Sequence, residues 1–106
     1  MVALKRATTL TEWLKSIPDG EEAIPEDHHV FAYAKRAGIP LEFLQLAWDA
    51  FCAKYSRSAK RYADWPQVFR NAVDGNWLRL WYIDDDSGEY RLTTAGKQRQ
   101  ALESRR

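Results

Sequence analysis

Apolar residues recur at helical spacing up to residue 74, and the pattern changes to strand-like alternation after it. Thr9-Leu10-Thr11-Glu12 has the spacing of a capping box, and Leu10, Trp13, Leu14 and Ile17 follow at helical intervals. A first helix is therefore expected near 9–17, stopped by Pro18-Asp19-Gly20. Residues 20–27 are acidic, carry Pro25 and read as a connector. Asp27 is placed to cap a second helix near 28–37 with Val30, Phe31, Ala34 and Ala37 inward, and Gly38 suits its left-handed end. Pro40 fits the first turn of a third helix over 41–55, because a proline there gives up no needed N–H. Along it Leu41, Leu44, Trp48, Phe51, Cys52 and Tyr55 share one face, while Phe43, Leu46 and Ala47 widen the apolar arc, so this helix should be central to the core.

Asp64-Trp65-Pro66-Gln67 combines an N-cap acid, a first-turn proline and a glutamine at capping-box distance. A fourth helix over about 65–73 should bury Trp65, Val68, Phe69 and Ala72, turn Gln67, Arg70, Asn71 and Asp74 outward, and stop at Gly75. Beyond it, Trp77-Leu78-Arg79-Leu80-Trp81-Tyr82-Ile83, the turn cluster Asp84-Asp85-Asp86-Ser87-Gly88 and Glu89-Tyr90-Arg91-Leu92 predict a β-hairpin over 77–92. On that strand Trp77, Arg79 and Trp81 would share one face and Leu78, Leu80 and Tyr82 the other. Thr93 or Thr94 would cap a short last helix through Lys97, Ala101 and Leu102. The expected class is α+β: a small, mainly helical domain of four or five helices with one C-terminal hairpin. At 106 residues the chain is read as a single domain, helical over 9–74, with the hairpin and short helix over 77–103.

Hydrophobic residues make up 45% of the chain, enough for a packed fold rather than disorder, and five tryptophans exceed what packing usually demands. Net charge is only +1, but it is unevenly spread. Residues 1–53 hold five Lys/Arg and eight Asp/Glu, net −3, whereas residues 54–106 hold eleven and seven, net +4. A one-sided field toward a polyanion is compatible with that division. The lone Cys52 excludes an intrachain disulfide, and no apolar run approaches the ~20 residues of a membrane span. A cytoplasmic location without membrane contact is the expectation.

The densest chemistry lies in Lys54–Asn71, where Lys54, Arg57, Lys60, Arg61 and Arg70 oppose one acid, Asp64, and interleave with Tyr55, Tyr62, Trp65 and Phe69. Cations neutralise phosphates and flat rings stack on unpaired bases, which is what a single-strand binding surface requires. The bland alternative puts Tyr55, Trp65 and Phe69 in the core at helical spacing and the cations on a solvated loop. The candidate nucleic-acid residues are Lys54, Arg57, Lys60, Arg61, Tyr62 and Arg70. Asp84, Asp85, Asp86 and Glu89 lack the alternation of an EF-hand loop and read as a solvated turn, so no metal is expected. His28 and His29, taken as adjacent helical residues about 100° apart, would not share a face as i, i+4 ligands do. There is no glycine-rich phosphate loop, serine elbow or paired-cysteine zinc spacing, so neither an enzyme, a cofactor nor a small-molecule substrate is expected.

A helix pair followed by a hairpin resembles a winged helix-turn-helix, and Glu89-Tyr90-Arg91-Leu92-Thr93-Thr94-Ala95-Gly96 resembles its strand-to-helix junction. Three carboxylates at Asp84–Asp86 would be repelled by phosphates, so the hairpin tip would sooner meet a basic protein. Trp48-Asp49-Ala50-Phe51 with Tyr55, then Tyr62-Ala63-Asp64-Trp65-Pro66-Gln67-Val68-Phe69-Arg70-Asn71, resembles the C-terminal segment of DnaT-like primosomal helicase loaders and phage replisome organisers. The resemblance covers about 41–74 and implies contact with single-stranded DNA, preferred over duplex, and a replicative helicase as protein partner. Family members commonly continue with a further tryptophan-containing helix, whereas this chain breaks at Asp74-Gly75. The expected function is a non-enzymatic DNA-binding accessory, in replication initiation of a phage or mobile element. A second reading is a small adaptor or inhibitor that docks a partner through Trp77, Arg79 and Trp81 and the acidic turn, those residue types being common interface anchors.

Overall fold

The computed structural model describes residues 6–104. Five helices and one antiparallel hairpin follow in the order α1 Leu10–Ser16, α2 His29–Ala37, α3 Leu41–Tyr55, α4 Trp65–Asp74, β1 Trp81–Ile83, β2 Tyr90–Leu92 and α5 Thr94–Ser104. The protein is a small α+β fold, as its periodicity predicts.

Local chemistry explains most of the boundaries. Both bonds of the capping box form at α1: the Glu12 N–H donates to Thr9 Oγ1 and the Thr9 N–H to Glu12 Oε1, at 3.2 and 2.9 Å. Ile17 leaves the helix in an extended conformation because the following Pro18 disfavours helical geometry before it. Gly38 ends α2 at φ +78°, and the Ile39 N–H closes the last turn on the Ala34 carbonyl at 2.9 Å. At α4, the Gln67 N–H donates to Asp64 Oδ1 and Pro66 occupies the first turn. The Gln67 side chain does not reach back to close a box; it donates to Asn71 Oδ1 at 2.9 Å.

The cap of α2 departs from expectation. His28, not Asp27, is the N-cap, its Nδ1 accepting the Val30 N–H at 3.1 Å. An extended N-cap does not obey helical spacing, so the His28 and His29 rings lie only 4.1 Å apart instead of diverging. Burial, then the neighbouring His29, lowers the His28 pKa below its ordinary 6.5, while Asp64 and Asp27 oppose the shift. Only the neutral ring can accept the capping bond. Stability from this cap should be complete above about pH 6.5 and lost as pH falls through the lowered folded-state value. His28→Asn, which caps without titrating, should flatten that part of the urea-midpoint profile relative to the native chain. Parallel profiles would contradict the assignment.

One cluster joins the buried residues from Leu10 to Trp81, and Trp65, Phe51, Leu10 and Val30 are its largest fully buried side chains. Helix α3 touches α1, α4 and α5, which is why its apolar arc is so wide. Leu44, Ala47, Phe51 and Tyr55 serve the main cluster, while Leu46 is buried outside it. Leu41 was expected inward on the same face, yet it is 70% exposed. It is the first residue of α3, where it borders cavities rather than packed side chains.

The hairpin is shorter than its β-forming composition predicts. Residues 75–78 form turns, Asn76 and Arg79 adopt φ near +50°, and β1 begins only at Trp81. Asn76 tolerates the left-handed region and its Nδ2 donates to the Trp81 carbonyl at 2.9 Å; the Trp77 N–H returns to the Ala72 carbonyl. The expected alternation of Trp77, Arg79 and Trp81 on one strand face is therefore corrected. Trp77 is 48% exposed and Arg79 is exposed, whereas Trp81 is 6% exposed and stacks with Phe43 at 6.1 Å.

The strands pair Trp81 with Leu92, Tyr82 with Arg91 and Ile83 with Tyr90. The hairpin is anchored rather than projecting freely, because the Tyr90 hydroxyl donates to the Ala37 carbonyl at 2.6 Å. Asp84 is structural: its Oδ1 accepts the Asp86 and Ser87 N–H groups, and its Oδ2 meets Arg91 Nε at 2.9 Å. Those N–H bonds and Arg91 hold its carboxyl below the usual carboxylate range. Asp85, Asp86 and Glu89 remain exposed at the tip. Thr93 caps α5, its Oγ1 accepting the Gly96 N–H at 3.0 Å.

Candidate nucleic-acid interface

The connector between α3 and α4, residues 56–64, is pinned at both ends. The Thr11 hydroxyl donates to the Ser56 carbonyl at 3.1 Å. Farther along, Thr8 and Tyr62 form an antiparallel bridge with both N–H···O bonds at 3.0 Å. The Trp65 indole adds a third tie, donating Nε1–H to the Thr8 carbonyl at 2.9 Å. A basic loop is thus held against the start of the chain's described part, so its cations are displayed from a fixed backbone.

Lys54, Arg57, Lys60 and Arg61 are all exposed on or beside this joint. Lys54 Nζ lies 5.5 Å from the Tyr55 ring centre. Arg61 is partly neutralised, its Nη1 sitting 3.0 Å from Glu12 Oε1 and reaching toward the Ala7 carbonyl. The Thr9 N–H, with Arg61 and Arg6 adding their charge, holds the Glu12 carboxyl below its ordinary value. Arg6 lies beside the joint, lining a cavity with Asp64 and Trp65 and with Glu21 and Glu22 of the acidic connector, a placement that local sequence pattern does not reveal. The only signal for it is the pairing of Thr8 with Tyr62, a tertiary contact.

Two other candidates sit differently. Arg70 is half-buried, stacked on the Tyr33 ring of α2 at 4.6 Å and paired with Asp74 at 3.1 Å, so it faces α2 rather than the joint. Tyr62 is packed edge-on against Trp65 at 5.0 Å and Tyr55 at 6.4 Å. Its ring stiffens the joint. The core reading of Tyr55, Trp65 and Phe69 is the one the structure adopts, all three being buried. Direct base stacking from this segment, expected from its composition, therefore has no fully presented ring among the described residues.

Burial, with Asp49 adding to it, pushes the Cys52 thiol up to about 11, so it stays protonated at neutral pH. His28 Nδ1 is committed to its cap. Among the described residues no cluster of three His, Cys, Asp or Glu could hold a metal, and no helix is long and apolar enough to cross a membrane. The chain matches no protein-family model, no curated protein and no solved structure.

Proposed function

We propose that this protein is a non-enzymatic DNA-binding accessory whose α3–α4 joint grips backbone phosphates, with single strands favoured. The observation that carries the reading is the display of Lys54, Arg57, Lys60 and Arg61 along a connector fixed by the Thr8–Tyr62 bridge. A preordered basic loop loses little conformational entropy on meeting a polyanion, and its attraction is electrostatic and salt-sensitive. The raised pKa of the half-buried Cys52 thiol and the capping role of His28 leave neither as a ready nucleophile or base. The likeness of residues 41–74 to helicase loaders fits a role in replication initiation, with a replicative helicase as partner.

Fluorescence anisotropy with labelled single- and double-stranded oligonucleotides at about 50 and 200 mM salt is the test. Each phosphate contact on a single strand contributes about 0.7 to the slope of log affinity against log salt. Replacing Lys54, Arg57 and Lys60 with Gln should flatten that slope by about 2. Arg61→Gln should do less, because Glu12 already offsets its charge. Arg70→Gln should leave the slope unchanged, since Tyr33 and Asp74 engage that side chain. An unaltered slope in the triple variant, or no binding at the lower salt, would remove the joint from the site.

A further inference from the structure

The other end of α3 carries an apolar groove. Ile24, Phe31, Leu44, Trp48 and the exposed Leu41 are among its lining residues, around a volume of about 350 Å³. It opens onto the connector 19–27, which holds five acids and no Lys or Arg. Glu22 lines the groove itself, and Glu21 and Glu26 line its continuation beside Ile24, Pro25 and Phe31. All three glutamates are exposed, and none makes an ion pair among the described residues. Lys35 lines an adjoining cavity with Glu26 and Leu41, and Arg6 lines another with Glu21 and Glu22.

We infer that this groove docks a basic peptide segment of a protein partner, one that inserts large apolar side chains between flanking Lys or Arg residues. The apolar floor supplies affinity by burial, and Leu41, the most exposed large hydrophobic of the described chain, gains most from being covered. The glutamate rim sets the sign of the partner, since opposite charges around an apolar centre steer encounter and reject acidic segments. A helix of 15 residues places Leu41 and Tyr55 about 21 Å apart along its axis. The apolar groove therefore opens near the start of α3 and the basic joint follows its end, while Glu21 and Glu22 of the connector also line a cavity with Arg6 and Asp64. The inference does not depend on DNA binding.

The test uses the full chain and a fluorescein-labelled synthetic peptide with Leu at helical i, i+3, i+4, i+7 positions and Lys elsewhere. Anisotropy should rise with protein concentration, and the same peptide with Glu in place of Lys should not bind. Leu41→Ser together with Glu22→Lys and Glu26→Lys should weaken binding on the order of tenfold or more. All three positions are exposed, so an unchanged thermal midpoint is expected to accompany that loss. Equal binding of both peptides, or no effect of the triple variant, would overturn the proposal. Sedimentation of the native chain as a self-associated species that Leu41→Ser makes monomeric would also overturn it, because a second copy would then be the occupant.

Discussion

Trp65→Ala should lower the unfolding free energy by about 3–5 kcal/mol, the usual cost of truncating a fully buried large aromatic. A domain of this size commonly has about 5–15 kcal/mol in total, so the variant should be marginal at physiological temperature. Trp65 is 1% exposed, and its ring meets Phe51 at 6.0 Å, Tyr55 at 5.3 Å and Tyr62 at 5.0 Å, all near edge-on. Few neighbours can collapse into the space of an indole held on so many sides. The loss should also reach the candidate interface, because Trp65 Nε1–H ties the Thr8 carbonyl beside the Thr8–Tyr62 bridge. Trp65→Phe separates the two effects. It keeps most of the ring and loses the indole bond, but Thr8 still accepts from the Tyr62 N–H, so the carbonyl is not orphaned. That variant should cost about 1–2 kcal/mol. Urea denaturation followed by circular dichroism measures both, and a cost below about 1 kcal/mol for Trp65→Ala would contradict this account of the core.

The second large effect is expected from Gly96→Ala. In an ordinary helix, alanine is more favourable than glycine by about 1 kcal/mol. Here the sign should reverse. A Cβ on Gly96 would be driven into the carbonyl oxygen of Leu80, with the Leu80 carbonyl carbon at 3.0 Å and Leu92 Cδ2 at 3.1 Å behind it. The Leu80 carbonyl cannot swing aside, because it accepts the Thr93 N–H at 2.9 Å as the next rung beyond the β1–β2 pairing. The helix would have to lift off the hairpin, at a cost toward the upper end of about 1–3 kcal/mol. Hydrogen exchange should show the loss of protection concentrated in α5, β1 and β2. Gly75→Ala provides the contrast. Its added methyl would meet mainly the indole of Trp77, a half-exposed side chain able to rotate away, and a smaller effect is expected. Equal destabilisation by both substitutions would refute the close-contact explanation.

The helices were legible because their determinants are local. Capping at Thr9 and Asp64, the left-handed stop at Gly38 and the 3.6-residue period of α3 each need only neighbours within a turn or two. The hairpin was legible in kind but not in extent. Trp77-Leu78-Arg79-Leu80 favours a strand by composition, but the bond from Asn76 Nδ2 to the Trp81 carbonyl and the left-handed Asn76 and Arg79 hold it as a turn. The cap of α2 differs for a related reason. Asp27 is the residue type that local chemistry favours there, and the path of the chain into α2 gives the role to His28 instead.

The candidate site divides along the same line. The amino-acid sequence by itself determined that the cations cluster between α3 and α4 and that acids cluster between α1 and α2, since charge and element order are properties of the chain. The tertiary structure alone decided which of those charges remain available. It seats Arg70 on Tyr33, sets Arg61 against Glu12, brings Arg6 beside the joint and turns Tyr62 into a wedge for it. It also leaves Leu41 uncovered beside the acidic connector. Periodicity reports which face of an element is apolar. What covers that face, and which charges meet across it, depends on segments tens of residues away whose approach is set by packing of the whole core.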